Sequence, residues 1–430
     1  MKAREVFLLI LIIVAGILFT HFQLGKIHWR LNDWGIFTSE EFFFEETRDI
    51  NPPLPVLLEV QNRHGEVNIQ GTENETVKVT LQKIIWRRNK DEAAEVAQEL
   101  NMEIKKESDR IIVSTNRYDF ERRNFETDFL IQVPKSMKIT VHNSYGKVVV
   151  SDTGSSFIDN RRGKIFVSNI TGSLTVNNSF DDVRVENISE TCSIKNRYGQ
   201  VDVKDVGGTV DVDLRTGDIL LENMNQGVTV SGSNNSVRGE KLNCPLDIES
   251  SFRRIALYDV GPVKIQGRQS PIEVKGSKGA VEIRNRFAKI EVEGIEGNLF
   301  IEGKSLSVLG SRIIAENITI DSSNEDIELR EFSGKTDIKI AHGQAIISPS
   351  PLTHAIDVEA SYSDIRFMWP PGEKYPFQGS VKNGEIKWML ANPPGSTKEN
   401  GLTVIKAFSE LSNRPPINLS TSYGTIWIEE

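Results

Sequence analysis

The sequence predicts an all-β fold, a parallel β-solenoid (β-helix) of ~18-residue coils, and three observations predict it. A turn followed by two apolar residues spaced two apart recurs from Val141 to Glu385, as in Asn-Ser-Tyr-Gly-Lys-Val-Val-Val at 143–150, Asn-Arg-Tyr-Gly-Gln-Val-Asp-Val at 196–203 and Asn-Arg-Phe-Ala-Lys-Ile-Glu-Val at 285–292. The residues closing successive turns are Gly146, Gly163, Asp181, Gly199, Gly217, Asn235, Arg253, Ser270, Ala288, Leu306, Glu325, Gly343, Ser363 and Gly384, always 17 to 21 residues apart. Apolar residues also stand seven and five positions before these closures, as in Ile139/Val141, Val210/Val212 and Ile318/Ile320. An i, i+2 spacing is strand periodicity, because successive side chains leave opposite faces. A fixed period in this range marks stacked supersecondary units.

Each coil therefore reads as two short strands with four inward apolar residues, separated by turns. One coil cannot bury its own apolar face, but stacking like on like makes a continuous core. Parallel strands of neighbouring coils lie ~4.8 Å apart, so fourteen coils make an array roughly 65 Å long. Gly, Asn and Ser at the turns tolerate the left-handed backbone that tight corners need. Lys, Asp, Glu, Thr and Arg fill most alternate strand positions, which suits a solvated outer face.

Five segments follow along the chain. Residues 1–24 read as a signal anchor or transmembrane helix: Lys2 and Arg4 precede the apolar run Val6–Phe19, which extends to Leu24 with no small-residue cleavage site after it. A cleaved signal peptide is the alternative. Basic residues ahead of the run place the N-terminus in the cytoplasm and the rest outside, in the cytoplasmic (inner) membrane of a cell with an extracytoplasmic or periplasmic solenoid. Residues 25–52 form a juxtamembrane segment, in which Trp29 and Trp34 suit the membrane interface and Phe42–Phe44 suit a first strand. Residues 53–137 read as an α+β cap, with repeat-like strands around Asn62–Ile69 and a helix presenting Ala93, Val96, Ala97, Leu100 and Ile104 on one face. Such a cap protects the exposed strand edges of a terminal coil. Residues 138–390 are the repeat array, and 391–430 a Pro/Gly-rich loop followed by a capping strand, Thr421–Ile428.

A formal net charge of −9 argues against general nucleic-acid binding, which wants a basic surface. Cys192 occupies an inward position and Cys244 a turn nearly three coils away, ~14 Å on the coil spacing, too far for a disulfide. No Gly-x-Ser-x-Gly is present, and the six histidines are scattered; His64 and His342 fall on turns. Gly303-Lys304-Ser305 and Gly334-Lys335-Thr336 lack the earlier glycine of a phosphate loop, since Asn298 and Leu329 stand there. Gly207-Gly208-Thr209-Val210-Asp211 is a single partial match to a calcium-binding nonapeptide and no array of them. No catalytic, metal or cofactor residues are assigned.

The order of parts resembles a bacterial putative-adhesin family, a β-strand-repeat domain of unknown function. The likeness is carried by Leu58–Ile69 as Leu-x-Val-x-Asn-x-x-Gly-x-Val-x-Ile, the helix-bearing insertion, then Asp128-Phe-Leu-Ile-Gln-Val-Pro-Lys135 leading into Ile139–Val150. The resemblance implies an exported or membrane-anchored solenoid and implies no catalytic residues.

One constellation suggests a ligand. Asn62, Asn143, Asn160, Asn178, Asn196 and Asn285 stack in register at the turns, beside a ridge of Arg161, Arg197, Arg215, Arg268, Arg286 and Lys304 and aromatic residues Tyr145, Phe180, Tyr198, Phe252, Phe287 and Tyr362. The structural account is an Asn ladder satisfying turn backbone, with aromatics covering the core edge. The functional account is a ridge (Arg161, Arg197, Tyr198, Arg215, Phe252, Arg268, Arg286, Phe287) that holds an anionic or glycan polymer by charge and ring stacking. The expected function is a non-enzymatic adhesion or interaction module of the cell envelope. Its expected partners are the bilayer, through residues 6–24, and an envelope glycan or protein, with no nucleic acid. One alternative is an envelope polysaccharide lyase or hydrolase, with Glu273/Glu291 or Asp211, Asp213, Asp247 and Glu249 as carboxylates. The other is a scaffold assembling end to end.

Overall fold

The computed structural model describes residues 39–121 and 124–430. The expected anchor, 1–24, lies outside the described residues, as does 25–38. Among the described residues no helix is long and apolar enough to cross a membrane.

The chain divides into two compact units. In the smaller, the helix Lys90–Glu99 starts at Asn89, whose side chain accepts from the Glu92 N–H (2.9 Å) and donates to the Glu92 carboxylate (3.1 Å). The first bond satisfies a backbone donor that a helix start leaves open, and the second holds the two side chains together. The helix packs Ala93, Val96, Ala97 and Leu100 into a small core with Ile85, Phe125, Phe120, Phe42 and Phe44. Ile104 is not on that helix; it belongs to the strand Met102–Lys106, because the helix ends at Leu100.

The larger unit is a parallel β-solenoid of about 13 turns. Two walls alternate. In the first, inward residues stack as Leu174, Cys192, Val210, Val228, Leu246, Val263, Val281 and Leu299, each opposite the next. In the second, Val148, Ile165, Val183, Val201 and Ile219 do the same, and the ladder continues to Ile365. All of these are at most 3% exposed and join one core. Cys192 is thus a rung of the core; burial pushes its thiol up to about 12, and both cysteines are free.

The coil holds a fifth inward column that period-two reading omits. Six residues after each turn closure from Gly146 to Glu325 the backbone turns left-handed, at Asn169, Asn187, Asp205, Asn223 and Asp259 among others. That conformation breaks the alternation, so the next residue points inward: Ile170, Ile188, Val206, Met224 and Val260 are all buried. Asn and Asp suit the position because they tolerate positive φ better than other non-glycine residues.

Stacking order departs from chain order at both ends. Ser363 does not neighbour the Gly384 coil. The strands Ile417–Ser422 and Thr425–Glu429 lie between the coil 356–368 and the coil 377–388, parallel to both. At the other end, the coil 57–72 lies between the strands Arg110–Thr115 and Phe125–Pro134 on one side and the coil 138–151 on the other. In the segment expected as a loop, Ser396–Glu399 and Leu402–Ala407 form a hairpin, whose second strand runs antiparallel to Phe377–Lys382. Trp369 closes this end, with the rings of Phe367, Tyr375, Phe377, Trp388 and Phe408 5.6–6.3 Å away.

Candidate functional site

The Asn residues at the turns form a working ladder. Asn160 Nδ2 donates to the carbonyls of Gly146 (3.2 Å) and Gly163 (3.3 Å), and Asn178 to Gly163 (3.3 Å) and Asp181 (3.3 Å). Asn143, Asn196, Asn285 and Asn62 bond in the same manner, each to a neighbouring coil. These carboxamides are buried or nearly so, and each ties one turn to the next. Two of them also aim the ridge. Asn196 Oδ1 accepts from the Arg197 N–H (2.9 Å) and Asn285 Oδ1 from the Arg286 N–H (2.8 Å), fixing the backbone from which those arginines project. Asn160 Oδ1 lacks such a partner, so Arg161 is not held that way.

The turn itself changes type along the array. Through Gly217 the residue closing the turn takes positive φ, mostly as glycine. A Cβ on Gly163 would stand 2.0 Å from the Gly146 carbonyl oxygen. From Asn234 onward the preceding residue takes the left-handed conformation instead, at Phe252, Gln269, Phe287, Ser305, Asn324, His342, Tyr362 and Tyr423. At several turns its N–H donates to the next coil, as Phe252 to Arg268 (2.9 Å) and Gln269 to Arg286 (2.8 Å).

The aromatic residues do not form one file. His64, Tyr145, Arg162, Phe180 and Tyr198 make a column: His64 stacks on Tyr145 at 4.5 Å and Phe180 on Tyr198 at 5.3 Å. The Arg162 guanidinium lies 5.9 Å from the Tyr145 ring and 5.2 Å from the Phe180 ring. A second column joins His342, Tyr362 and Tyr423, at 5.2 and 4.8 Å. Phe252 and Phe287 belong to neither: Gln269 stands between them in the frame, and their side chains are 54% and 56% exposed.

All eight ridge residues are exposed. The cations fall into two groups, Arg197 with Arg215, and Arg268 with Arg286 and Lys304; Arg161 stands apart, and Arg286 lies opposite Lys304. Their electrostatics differ from those of the walls. On the walls, several cations face carboxylates of the adjoining coil: Lys164 with Asp182 (3.3 Å), Arg184 with Asp202 (4.0 Å), Lys204 with Glu222 (3.6 Å) and Lys264 with Asp247 (3.7 Å). Among the described residues, none of Arg161, Arg197, Arg215, Arg268, Arg286 or Lys304 has a carboxylate within 4.0 Å. An open groove of about 620 Å³ begins at Arg286 and Lys304 and runs past Lys339 over a floor of Gly303, Ser322 and Ala341.

The carboxylates considered for glycan cleavage are placed for another role. Glu273 is buried on the outside of the second wall under side chains rather than core. It accepts from Lys275 (2.6 Å), from Arg254 and from Tyr258 (2.9 Å). Lys275, with help from Arg254 and Tyr258, holds its carboxyl down to about 2. Lys275 also reaches Glu291 (3.5 Å), so a cation lies between the two carboxylates. A general acid needs its proton near working pH, and Glu273 has given its proton up. Asp211 and Asp247 line a separate open groove on the first wall with Thr229 and Lys264. No group of three or more His, Cys, Asp or Glu among the described residues is arranged to hold a metal ion.

Fold and site together define a parallel β-solenoid with ion pairs between coils on its walls and, at one corner, six cations that lack carboxylate partners among the described residues. Residues 57–250 match the family described as Toastrack DUF4097. No curated protein matches the chain. Among solved structures, it is similar to a putative cell adhesion protein from Clostridium sporogenes (9% identity, 90% of this chain and 99% of that one, TM-score 0.18). A putative adhesin from Bacteroides fragilis is also similar (14% identity, 90% and 96%, TM-score 0.18). At these scores neither likeness bears on what this chain does.

Proposed function

We propose that this protein is a non-enzymatic adhesion or interaction module of the cell envelope, anchored in the cytoplasmic membrane by residues 6–24, and that its ridge binds an anionic polymer. The observation that carries the reading is a contrast in pairing: wall cations such as Lys164, Arg184, Lys204 and Lys264 are matched to carboxylates of the adjoining coil, whereas among the described residues none of the six ridge cations is, on a chain of net charge −9. Unmatched like charges a coil apart repel one another, a standing cost that a bound polyanion removes. Glu273, already ionised and ion-paired, counts against the lyase or hydrolase alternative. The hairpin 396–407 and the aromatic plug at Trp369 count against end-to-end stacking, since they occupy one end of the array.

The test is binding of the full-length protein to purified envelope polysaccharides. Replacing Arg197, Arg215, Arg268 and Arg286 with Gln should weaken binding at least 10-fold and flatten its salt dependence. Replacing the paired wall residues Lys164, Arg184, Lys204 and Lys264 with Gln should change it less than 2-fold. Equal losses in the two sets would remove the ridge from the reading, and release of shortened sugars would favour the enzyme instead.

The anchor is tested separately. A reporter active only outside the cytoplasm, fused after Glu430, should be active in cells, because Lys2 and Arg4 precede the apolar run. Activity of a cytoplasmic reporter at the same position would reverse the proposed topology.

A further inference from the structure

We infer that the ridge from Phe252 to Lys304 is a subsite for an acidic polysaccharide, one whose sugars carry carboxylates. The inference rests on the ridge reading above and narrows both the place and the ligand. Two independent observations meet on this stretch. The first is charge: Arg268, Arg286 and Lys304 occupy the same turn position on three successive coils, ~4.8 Å apart, exposed and without carboxylate partners among the described residues. The second is ring placement. Phe252 and Phe287 sit in the left-handed region (φ 74° and 58°), where a bulky side chain is disfavoured. Asn234, Ser305 and Asn324 fill the same turn position at lower cost. The turn therefore does not call for phenylalanine, and among the described residues these two rings gain no stacking partner within the corner, unlike Tyr362 between His342 and Tyr423.

Exposed rings beside guanidinium groups match a ligand with both apolar and anionic faces. A uronic-acid polymer offers C–H faces that lie against aromatic rings and one carboxylate per acidic sugar, which Arg takes with paired donors. A polyphosphate offers nothing to the rings. Glu302, Asp321 and Glu359 line the groove beyond Arg286 and Lys304 and meet either polyanion, so the rings are what set the two apart. The same groove gives a bound chain room to continue past Lys304 toward Lys339.

The experiment measures binding of the full-length protein to polygalacturonate, to a neutral dextran and to polyphosphate, with two variants. F252N/F287N keeps residues that accept positive φ, as Asn234 does, and so preserves the turn while removing the rings. R268Q/R286Q/K304Q removes the charge. Polygalacturonate should bind and dextran should not. F252N/F287N should weaken polygalacturonate about 10-fold and leave polyphosphate within 2-fold, whereas R268Q/R286Q/K304Q should weaken both. If polyphosphate binds at least as well as polygalacturonate and F252N/F287N changes neither, the acidic-glycan subsite is wrong while the cationic ridge stands. If no polyanion binds, or R268Q/R286Q/K304Q changes nothing, the ridge reading falls with it. Circular dichroism melts of both variants within a few degrees of the parent establish that lost binding is not lost fold.

Discussion

Val203→Asp should unfold the middle of the array, whereas Asp202→Ala, one residue away, should be nearly silent. Val203 is fully buried and stands between Val185 and Leu221 of the adjoining coils. A carboxylate there has no cation within the core and no water, so the substitution should cost roughly 4 kcal/mol or more. Asp202 points outward, and its ion pair with Arg184, at 4.0 Å between side chains 35% and 60% exposed, is worth at most about 1 kcal/mol. Coils couple mainly to their neighbours, so Val203→Asp should raise hydrogen exchange first at residues 183–188 and 219–224 and only later at the ends. Equal effects of the two substitutions would break the assignment of inward and outward positions.

The second large effect is expected from the C-terminus. Deleting residues 413–430 should do more than trim an end, because it removes a coil from inside the stack. Ile417, Leu419, Ile426 and Ile428 are all at most 1% exposed, and burial of such side chains is worth roughly 1.5–3 kcal/mol each. Without them the coil 377–388 loses its parallel neighbour on both walls, and the coil 356–368 acquires open edges. Limited proteolysis of the truncated protein should cut throughout 345–412 while leaving 57–320 resistant. If instead 377–388 re-docks on 356–368, as chain order alone would have it, the truncated protein will resist cleavage up to about residue 388. The inserted coil would then be dispensable.

These two cases also divide what the sequence reveals from what it conceals. The inward identities of Val201, Val203, Val210 and Val212 are legible, because strand alternation is a local property and each wall follows it. The fifth column at Ile170, Ile188 and Val206 is not, because a single left-handed residue resets the alternation and leaves no trace in a period-two count. The order of coils at the ends is concealed for a different reason. An Ile-x-Val strand pairs equally well with any other, so Ile365 finds Ile426 or Ile386 a like partner, and only the connections decide. At the corner, the residue types of the ridge were legible in register, but their pairing was not. Whether an arginine meets a carboxylate depends on the neighbouring coil, and this is what separates Arg184 from Arg197. The split of the aromatic residues into two columns, with Phe252 and Phe287 outside both, likewise depends on what stands one coil away.

The inserted coils have a consequence in time. A chain made from its N-terminus lays down 138–368 in the order in which the coils stack, so each new course finds its neighbour already standing. The coil 377–388 does not. Its parallel neighbour 417–429 is made after it, and until that segment arrives its strand partner among the described residues is the antiparallel Leu402–Ala407. At the rates of synthesis, some 5–20 residues per second, that wait is on the order of seconds. Closure of this end therefore waits on residues 417–429: a molecule cut short before them keeps an unfinished edge.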